Sequence, residues 1–169
     1  MNRAFFISTI LLMLLGQTLR AQSSGQFYYV ADDTDRLYLE DRTTGNTTFI
    51  GTTASDIQAI AFLPDPSTPV LYAANGGQFG SINTSTGAFT AIGSNGIDNA
   101  TTLNGSASTQ SIDDVDGMSL DPRTMKMWAV ERNSGAPDLL FQIDVTTGIY
   151  VLNAFGTGID YLEITGTLS

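Results

Sequence analysis

The stretch Asp41-Arg42-Thr43-Thr44-Gly45 recurs twice further along this chain. Its counterparts are Asn83-Thr84-Ser85-Thr86-Gly87 and Asp144-Val145-Thr146-Thr147-Gly148. Similar neighbours flank each copy, so an internal repeat organises most of the sequence. The first two copies are 42 residues apart and the last two are 61 apart.

Each repeated stretch has the composition of a hairpin turn. An Asp or Asn that opens a turn can accept hydrogen bonds from backbone N–H groups two positions on, and a glycine that closes it takes a positive φ without strain. Alternating apolar residues flank each stretch, which is typical of paired strands. The sequence therefore predicts one hairpin around each turn, with Gly45, Gly87 and Gly148 at positive φ.

Four predicted strands make up one repeat unit. Small and apolar residues alternate in the strand that opens a unit, at residues 57–62, 115–120 and 159–164. An aromatic-rich strand follows, at residues 27–31, 71–74 and 127–130. A third strand enters the turn. The fourth strand leaves it, at residues 47–50, 89–92 and 150–152. The longer second interval contains residues 94–111, which are rich in Gly, Asn, Ser and Thr and are predicted to form a surface insertion.

Four antiparallel strands in roughly 40 residues, repeated, predict β-propeller-type blades, about three in number. No amphipathic helix is evident after the first 21 residues. A β-solenoid and a β-sandwich are the alternatives, although a solenoid usually has a shorter period and a sandwich need not repeat. The fold class is therefore all-β, with an incomplete or oligomer-completed propeller among the expectations.

The composition excludes several kinds of chemistry. The chain has neither cysteine nor histidine, so disulfides, thiolate sites and histidine-based catalysis or metal binding are ruled out. The formal net charge is −10, which would repel a phosphate backbone and argues against nucleic-acid binding. The acidity is otherwise consistent with a well-solvated surface.

The first 21 residues have the pattern of a signal peptide. Arg3 precedes an apolar run of about a dozen residues, too short to span a bilayer, and Ala21 suits signal peptidase. We expect cleavage before Gln22, export to the periplasm or the extracellular space, and one repeat domain over residues 22–169. Loss of Arg3 and Arg20 with this leader lowers the net charge to about −12.

The segments Leu71-Tyr72-Ala73-Ala74 and Asp116-Gly117-Met118-Ser119-Leu120-Asp121-Pro122, together with the Asn83 turn, resemble secreted bacterial β-propeller repeats. This broad group includes YVTN-type and NHL-type blades and the repeat regions of surface and adhesion proteins. The resemblance implies a secreted binding or scaffolding module whose ligand is a protein or a carbohydrate. It leaves open an N-terminal part of a larger surface protein, and also a calcium-dependent, lactonase-like hydrolase. Closed propellers have at least four blades, so the count of three departs from the pattern.

Gln58, Asp116 and Asp160 occupy equivalent positions at the start of the three inner strands. If the strands surround a common axis, these side chains converge at one mouth of a channel and form a candidate ligand site. The alternative is that one structural position has simply been copied three times.

Acidic clusters suggest a second kind of site. Asp113, Asp114 and Asp116 offer oxygen ligands that suit calcium, but the EF-hand spacing is absent. A similar cluster, Asp32, Asp33 and Asp35, has the composition of a turn. We expect no cofactor other than calcium. In the hydrolase alternative, Asp160 and Glu163 would contribute ligands, but no general base is evident.

The chain also starts and ends in the middle of a repeat unit. This predicts that residues 159–164 form an inner strand that completes the N-terminal unit. Three blades are too few to close comfortably, so a homodimer with six blades is one expected assembly and a three-blade monomer is the other.

Overall fold

A computed structural model describes residues 27–31, 35–54, 56–63, 69–104, 109–132 and 137–164. The predicted signal peptide lies outside these residues. The described part of the chain is all-β and contains no helix. Accordingly, no described segment is a helix long and apolar enough to cross a membrane. The strands are β1 Phe27–Ala31, β2 Arg36–Glu40, β3 Thr47–Thr52, β4 Ile57–Leu63, β5 Val70–Asn75, β6 Gln78–Ile82, β7 Phe89–Ala91, β8 Leu103–Asn104, β9 Thr109–Gln110, β10 Val115–Asp121, β11 Lys126–Glu131, β12 Asp138–Ile143 and β13 Tyr161–Ile164.

The strands form three larger antiparallel sheets, each in the order of the sequence. Sheet 1 is β1-β2-β3, sheet 2 is β4-β5-β6-β7 and sheet 3 is β10-β11-β12-β13. Strands β8 and β9 form a separate hairpin. Sheets 2 and 3 confirm the prediction of four-stranded antiparallel units.

The hairpin turns have the predicted chemistry. Gly45, Gly87 and Gly148 have φ values of 69°, 80° and 73°. In the first turn the Asp41 carboxylate accepts the N–H groups of Thr43 and Thr44, and these bonds hold the pKa of Asp41 below its usual value. The side chains that open the other two turns accept the same pair of bonds.

The sheets stack face to face, with a separate apolar core between each pair. Leu37 of sheet 1 packs with Leu71, Ala73 and Ile82 of sheet 2. The opposite face of sheet 2, which carries Tyr72 and Phe79, packs on Met127, Ala129 and Phe141 of sheet 3. Because side chains alternate along a strand, sheet 2 buries both of its faces. Tyr72 stacks on Phe79 within the second core.

The prediction for the C-terminal strand is wrong. β13 pairs with β12, with Tyr161 opposite Phe141 and Ile164 opposite Asp138. It is therefore the fourth strand of sheet 3 and not an inner strand of sheet 1, which has three strands. The predicted fourth strand at residues 150–152 makes only an isolated bridge, between Tyr150 and Ile143. β13 continues along the edge of β12 that this short contact leaves open.

The interpretation of residues 94–111 as a surface insertion is wrong in part. Ile97 and Leu103 from this segment are fully buried in the core between sheets 2 and 3. The segment is also tied to its surroundings through the backbone. Ile97 donates its N–H to the carbonyl of Gly77 at 2.7 Å and accepts the N–H of Tyr150 at 2.9 Å. Both side chains are therefore part of the core between sheets 2 and 3.

Candidate functional site

Gln58 and Asp116 occupy matching irregularities in neighbouring sheets. The pairing of β4 with β5 shifts register between Ile57 and Ala59, and the pairing of β10 with β11 shifts between Val115 and Gly117. Each irregularity has the form of a β-bulge, in which an extra residue is left outside the ladder and its side chain is re-aimed. The two polar residues are therefore equivalent in structure, as the repeat predicts.

The two bulge residues line one polar cleft between sheets 2 and 3. The cleft has a volume of about 470 Å³ and is lined by Asp56, Ile57, Gln58, Asp116 and Arg132. We refer to it as the inter-sheet cleft. The Gln58 side-chain amide donates a hydrogen bond to Asp56 Oδ1 at 2.9 Å. Asp56 itself has a φ of 66°, a conformation that Asp tolerates better than most residues.

Asp116 and Arg132 are linked to each other on the sheet 3 side of the cleft. Asp116 Oδ2 accepts the backbone N–H of Arg132 at 2.7 Å, and Asp116 Oδ1 lies 3.7 Å from Arg132 Nη2. The Arg132 side chain is 78% exposed, so this ion pair contributes little to stability. Its guanidinium carries five N–H donors in a planar fork, and most of that fork faces solvent. The cleft thus presents two carboxylates, one amide and one guanidinium to a ligand.

Asp160 does not lie in this cleft. It is buried, and its two carboxylate oxygens accept backbone N–H groups from Asn104, at 3.0 Å, and Asn153, at 2.7 Å. Its own N–H donates to the carbonyl of Asn104 at 2.7 Å. The reason is topological: Asp160 precedes β13, at the opposite edge of sheet 3 from β10, whereas Gln58 and Asp116 lie on β4 and β10, the first strands of their sheets. Asp160 joins the insertion to the loop before β13.

The residues of the calcium and hydrolase hypotheses are likewise separated. Asp113 is exposed and Asp114 is half-buried, while Asp116 is engaged by Arg132. Within the described ranges, no three acidic side chains come together in a group that could hold a metal ion. Glu163 is half-buried on β13, opposite Leu139. Of the other acidic cluster, Asp32 and Asp33 lie outside the described residues, and Asp35 has a turn-like φ of 49°. Calcium binding stays a prediction.

Sequence reasoning did not single out Glu131, the last residue of β11. Its side chain is fully buried, and Oε2 has no hydrogen-bond partner among the described residues. Oε1 accepts the N–H of Asp113 at a long 3.5 Å. Burial raises the pKa of Glu131 to about 8, and the Asp113 N–H opposes this only in part. The one sequence feature that could have pointed to Glu131 is its place as a single glutamate at the end of the apolar run at residues 127–130.

Comparison with known proteins gave no match to any family model and no match to a curated protein.

Proposed function

We propose that this protein is a secreted, non-enzymatic binding module built from propeller-type blades, and that the inter-sheet cleft binds its ligand. The observation that carries the proposal is the convergence of Gln58 and Asp116. Two separate bulges turn polar side chains toward one cleft, and bulges are over-represented next to functional sites. A purely structural copy of one position would not require Arg132 and Asp56 to line the same space.

The lining favours a neutral, polyhydroxylated ligand such as an oligosaccharide. Carboxylate and amide oxygens accept hydrogen bonds from hydroxyl groups, and guanidinium and amide N–H groups donate to them. Both carboxylates already have internal partners: Asp116 is paired with Arg132, and Asp56 accepts a hydrogen bond from Gln58. A strongly charged ligand would have to displace these internal partners, whereas a hydroxyl can join them. A polar protein loop is the rival occupant.

Calorimetric titration with defined hexasaccharides tests the proposal. The probes are cellohexaose, chitohexaose, laminarihexaose and mannohexaose, each added to the parent protein and to three variants. Gln58→Ala and Arg132→Ala remove side-chain donors from exposed positions, and Arg132→Ala keeps the backbone N–H that Asp116 accepts. Thr90→Ala on β7 is the matched control, since Thr90 is also exposed but lies outside the cleft.

We expect saturable binding of at least one hexasaccharide to the parent. Each cleft variant should weaken it about 5- to 30-fold, as expected for the loss of one hydrogen bond of about 1–2 kcal/mol. The Thr90→Ala variant should bind like the parent. If no hexasaccharide binds, the carbohydrate assignment is wrong. If one binds equally well to all four proteins, the ligand site lies elsewhere.

A further inference from the structure

The contact between consecutive sheets occurs twice in the same form. Gly51, at the end of β3, lies against the Thr86-Gly87 turn of sheet 2. One repeat later, Ile92 and Gly93 lie against the Thr147-Gly148 turn of sheet 3. The chain thus uses one rule to join sheet 1 to sheet 2 and sheet 2 to sheet 3.

Equivalent positions in the three sheets are also buried in the same way wherever a following sheet is present. Leu37, Phe79 and Leu140 occupy equivalent positions, in the strand that enters the hairpin turn. The next sheet covers Leu37 and Phe79 completely, whereas Leu140 is only half-buried. Likewise Tyr72 is buried under sheet 3, and its counterpart Trp128 is half-buried. The outer face of sheet 3 therefore has the apolar character of an internal face, and no sheet formed by the described residues covers it.

This outer face is apolar and grooved. Gly117, Ser119, Trp128, Val130 and Leu140 line a groove of about 250 Å³. On the neighbouring strand β13, Leu162 and Ile164 are 39% and 43% exposed and face the same side. Phe155 contacts Trp128 in an edge-to-face arrangement, with ring centroids 5.9 Å apart. Contiguous apolar surface of this kind commonly marks an interaction site.

The outer face of sheet 1, at the other end of the stack, is the second exposed face that carries aromatic side chains. On the outer face of sheet 1, Tyr38 packs edge-on against Phe49, which is 53% exposed. The equivalent of Tyr38 in sheet 3 is Phe141, which is fully buried against sheet 2. The turn at Gly45 is also open, because a Cβ added there would meet no described atom within 4 Å. Arg36 and Glu40 lie on the same face of β2 as Tyr38, and Arg36 lies 5.8 Å from the centre of the Phe49 ring. The outward face of sheet 1 is therefore aromatic at Tyr38 and Phe49 and charged beside them.

We propose that the outer face of sheet 3 docks the outer face of sheet 1 from a second copy of this chain. The two internal contacts identify the occupant. Sheet 1 is covered by the face of sheet 2 that points toward it, and sheet 2 is covered by the corresponding face of sheet 3; we call this face the front of a repeat. A second copy supplies that front, with Tyr38 and Phe49 meeting Trp128, Leu140 and Leu162. Two such contacts are equivalent by a two-fold axis and close a ring of six sheets.

Sedimentation equilibrium of the purified protein at 1 to 100 µM tests this docking. Leu162→Asp and Phe49→Asp place a charge on one face each, at positions exposed enough to leave the fold intact. Met125→Asp is the matched control, since Met125 is 44% exposed but lies in the turn between β10 and β11. A thermal melt followed by circular dichroism checks that each variant is folded.

We expect a mass twice that of the chain for the parent and for Met125→Asp, and a single-chain mass for each face variant. Mixing the two face variants should restore a dimer, because one of its two junctions is then free of substitutions. A parent that stays monomeric at 100 µM would overturn the proposal. So would a dimer that survives both face substitutions, or two face variants that fail to pair when mixed.

Discussion

Gly51 and Gly87 pack backbone against backbone across the junction of sheets 1 and 2. A Cβ added to Gly87 would lie 2.7 Å from the carbonyl carbon of Gly51, closer than real Cβ atoms approach. Gly148 contacts Ile92 in the same way: a Cβ added to Gly148 would lie 2.7 Å from the carbonyl carbon of Ile92. These glycines therefore serve two needs at once, a positive φ in the turn and close contact with the preceding sheet.

The three turn glycines separate these two needs by substitution. Gly45→Ala should cost about 1 kcal/mol of unfolding free energy, because alanine is strained at positive φ. Gly87→Ala and Gly148→Ala carry the same strain and also push apart two sheets, so each should cost about 1–3 kcal/mol more. Urea unfolding of the three variants in the Leu162→Asp background, which the proposed docking leaves monomeric, gives these values. Equal costs at all three positions would show that the close contact between sheets is absent.

Glu131 should make stability depend on pH. Its pKa is about 8 in the folded protein against 4.5 for an ordinary glutamate, so the folded state holds the extra proton between these values. Unfolding free energy should therefore fall as pH rises from about 5 to 8, by at most about 1.4 kcal/mol per pH unit. Glu131→Gln, which stays neutral, should lose this slope and exceed the parent in stability at pH 8.5.

Urea unfolding at pH 5, 6, 7 and 8 measures the slope for the parent and for Glu131→Gln. Glu163→Gln is the control, because it removes the same charge from a side chain that is only half-buried on the edge strand β13. It should retain the parental slope. A Glu131→Gln variant with the same pH dependence as the parent would show that Glu131 is ionised in the folded state.

Asp160 should matter for stability and not for ligand binding. Asp160→Ala removes the acceptor for the N–H groups of Asn104 and Asn153, at a cost of about 2–4 kcal/mol. Asp160→Asn keeps one carbonyl oxygen and should lose about half as much. Thermal melts give the stability, and hexasaccharide titration at a temperature where both variants are folded gives the affinity. A loss of affinity without a loss of stability would place Asp160 in the binding site.

Export predicts a mature chain that begins at Gln22. Intact-mass measurement of the protein from the exported fraction should show the loss of residues 1–21. The uncleaved mass in the membrane fraction would contradict this. A variant with Ala21 replaced by Arg should block cleavage, because signal peptidase requires a small residue at that place.

The sequence predicted local structure better than it predicted strand partners. The turns at Gly45, Gly87 and Gly148 and the matched placement of Gln58 and Asp116 follow from residue types at fixed spacing. The alternation in residues 159–164 correctly indicates a strand but does not say which edge it joins. The strand pairs with β12 because that edge is open and because the hydrogen bonds of Asp160 hold the preceding loop. Both features depend on contacts distant in sequence.

Other features were hidden for similar reasons. Ile97 and Leu103 are isolated apolar residues in a polar segment, so no period marks them as part of the core. Glu131 Oε1 accepts the N–H of Asp113, 18 residues away in sequence, and composition alone does not reveal this contact. Asp56 and Arg132 adjoin the two bulges in space, and nothing in the repeat pattern separated them from ordinary turn residues.

A ¹H–¹⁵N NMR titration tests whether the inter-sheet cleft is the ligand site. The side-chain amide of Gln58 and the Nε–H of Arg132 each give a signal that can be assigned by comparison with Gln58→Ala and Arg132→Ala. On addition of the hexasaccharide that binds, both signals should shift together with the backbone amides of Asp56 and Asp116, and with one common Kd. Shifts confined to other surfaces, with these four signals unmoved at saturation, would contradict the claim.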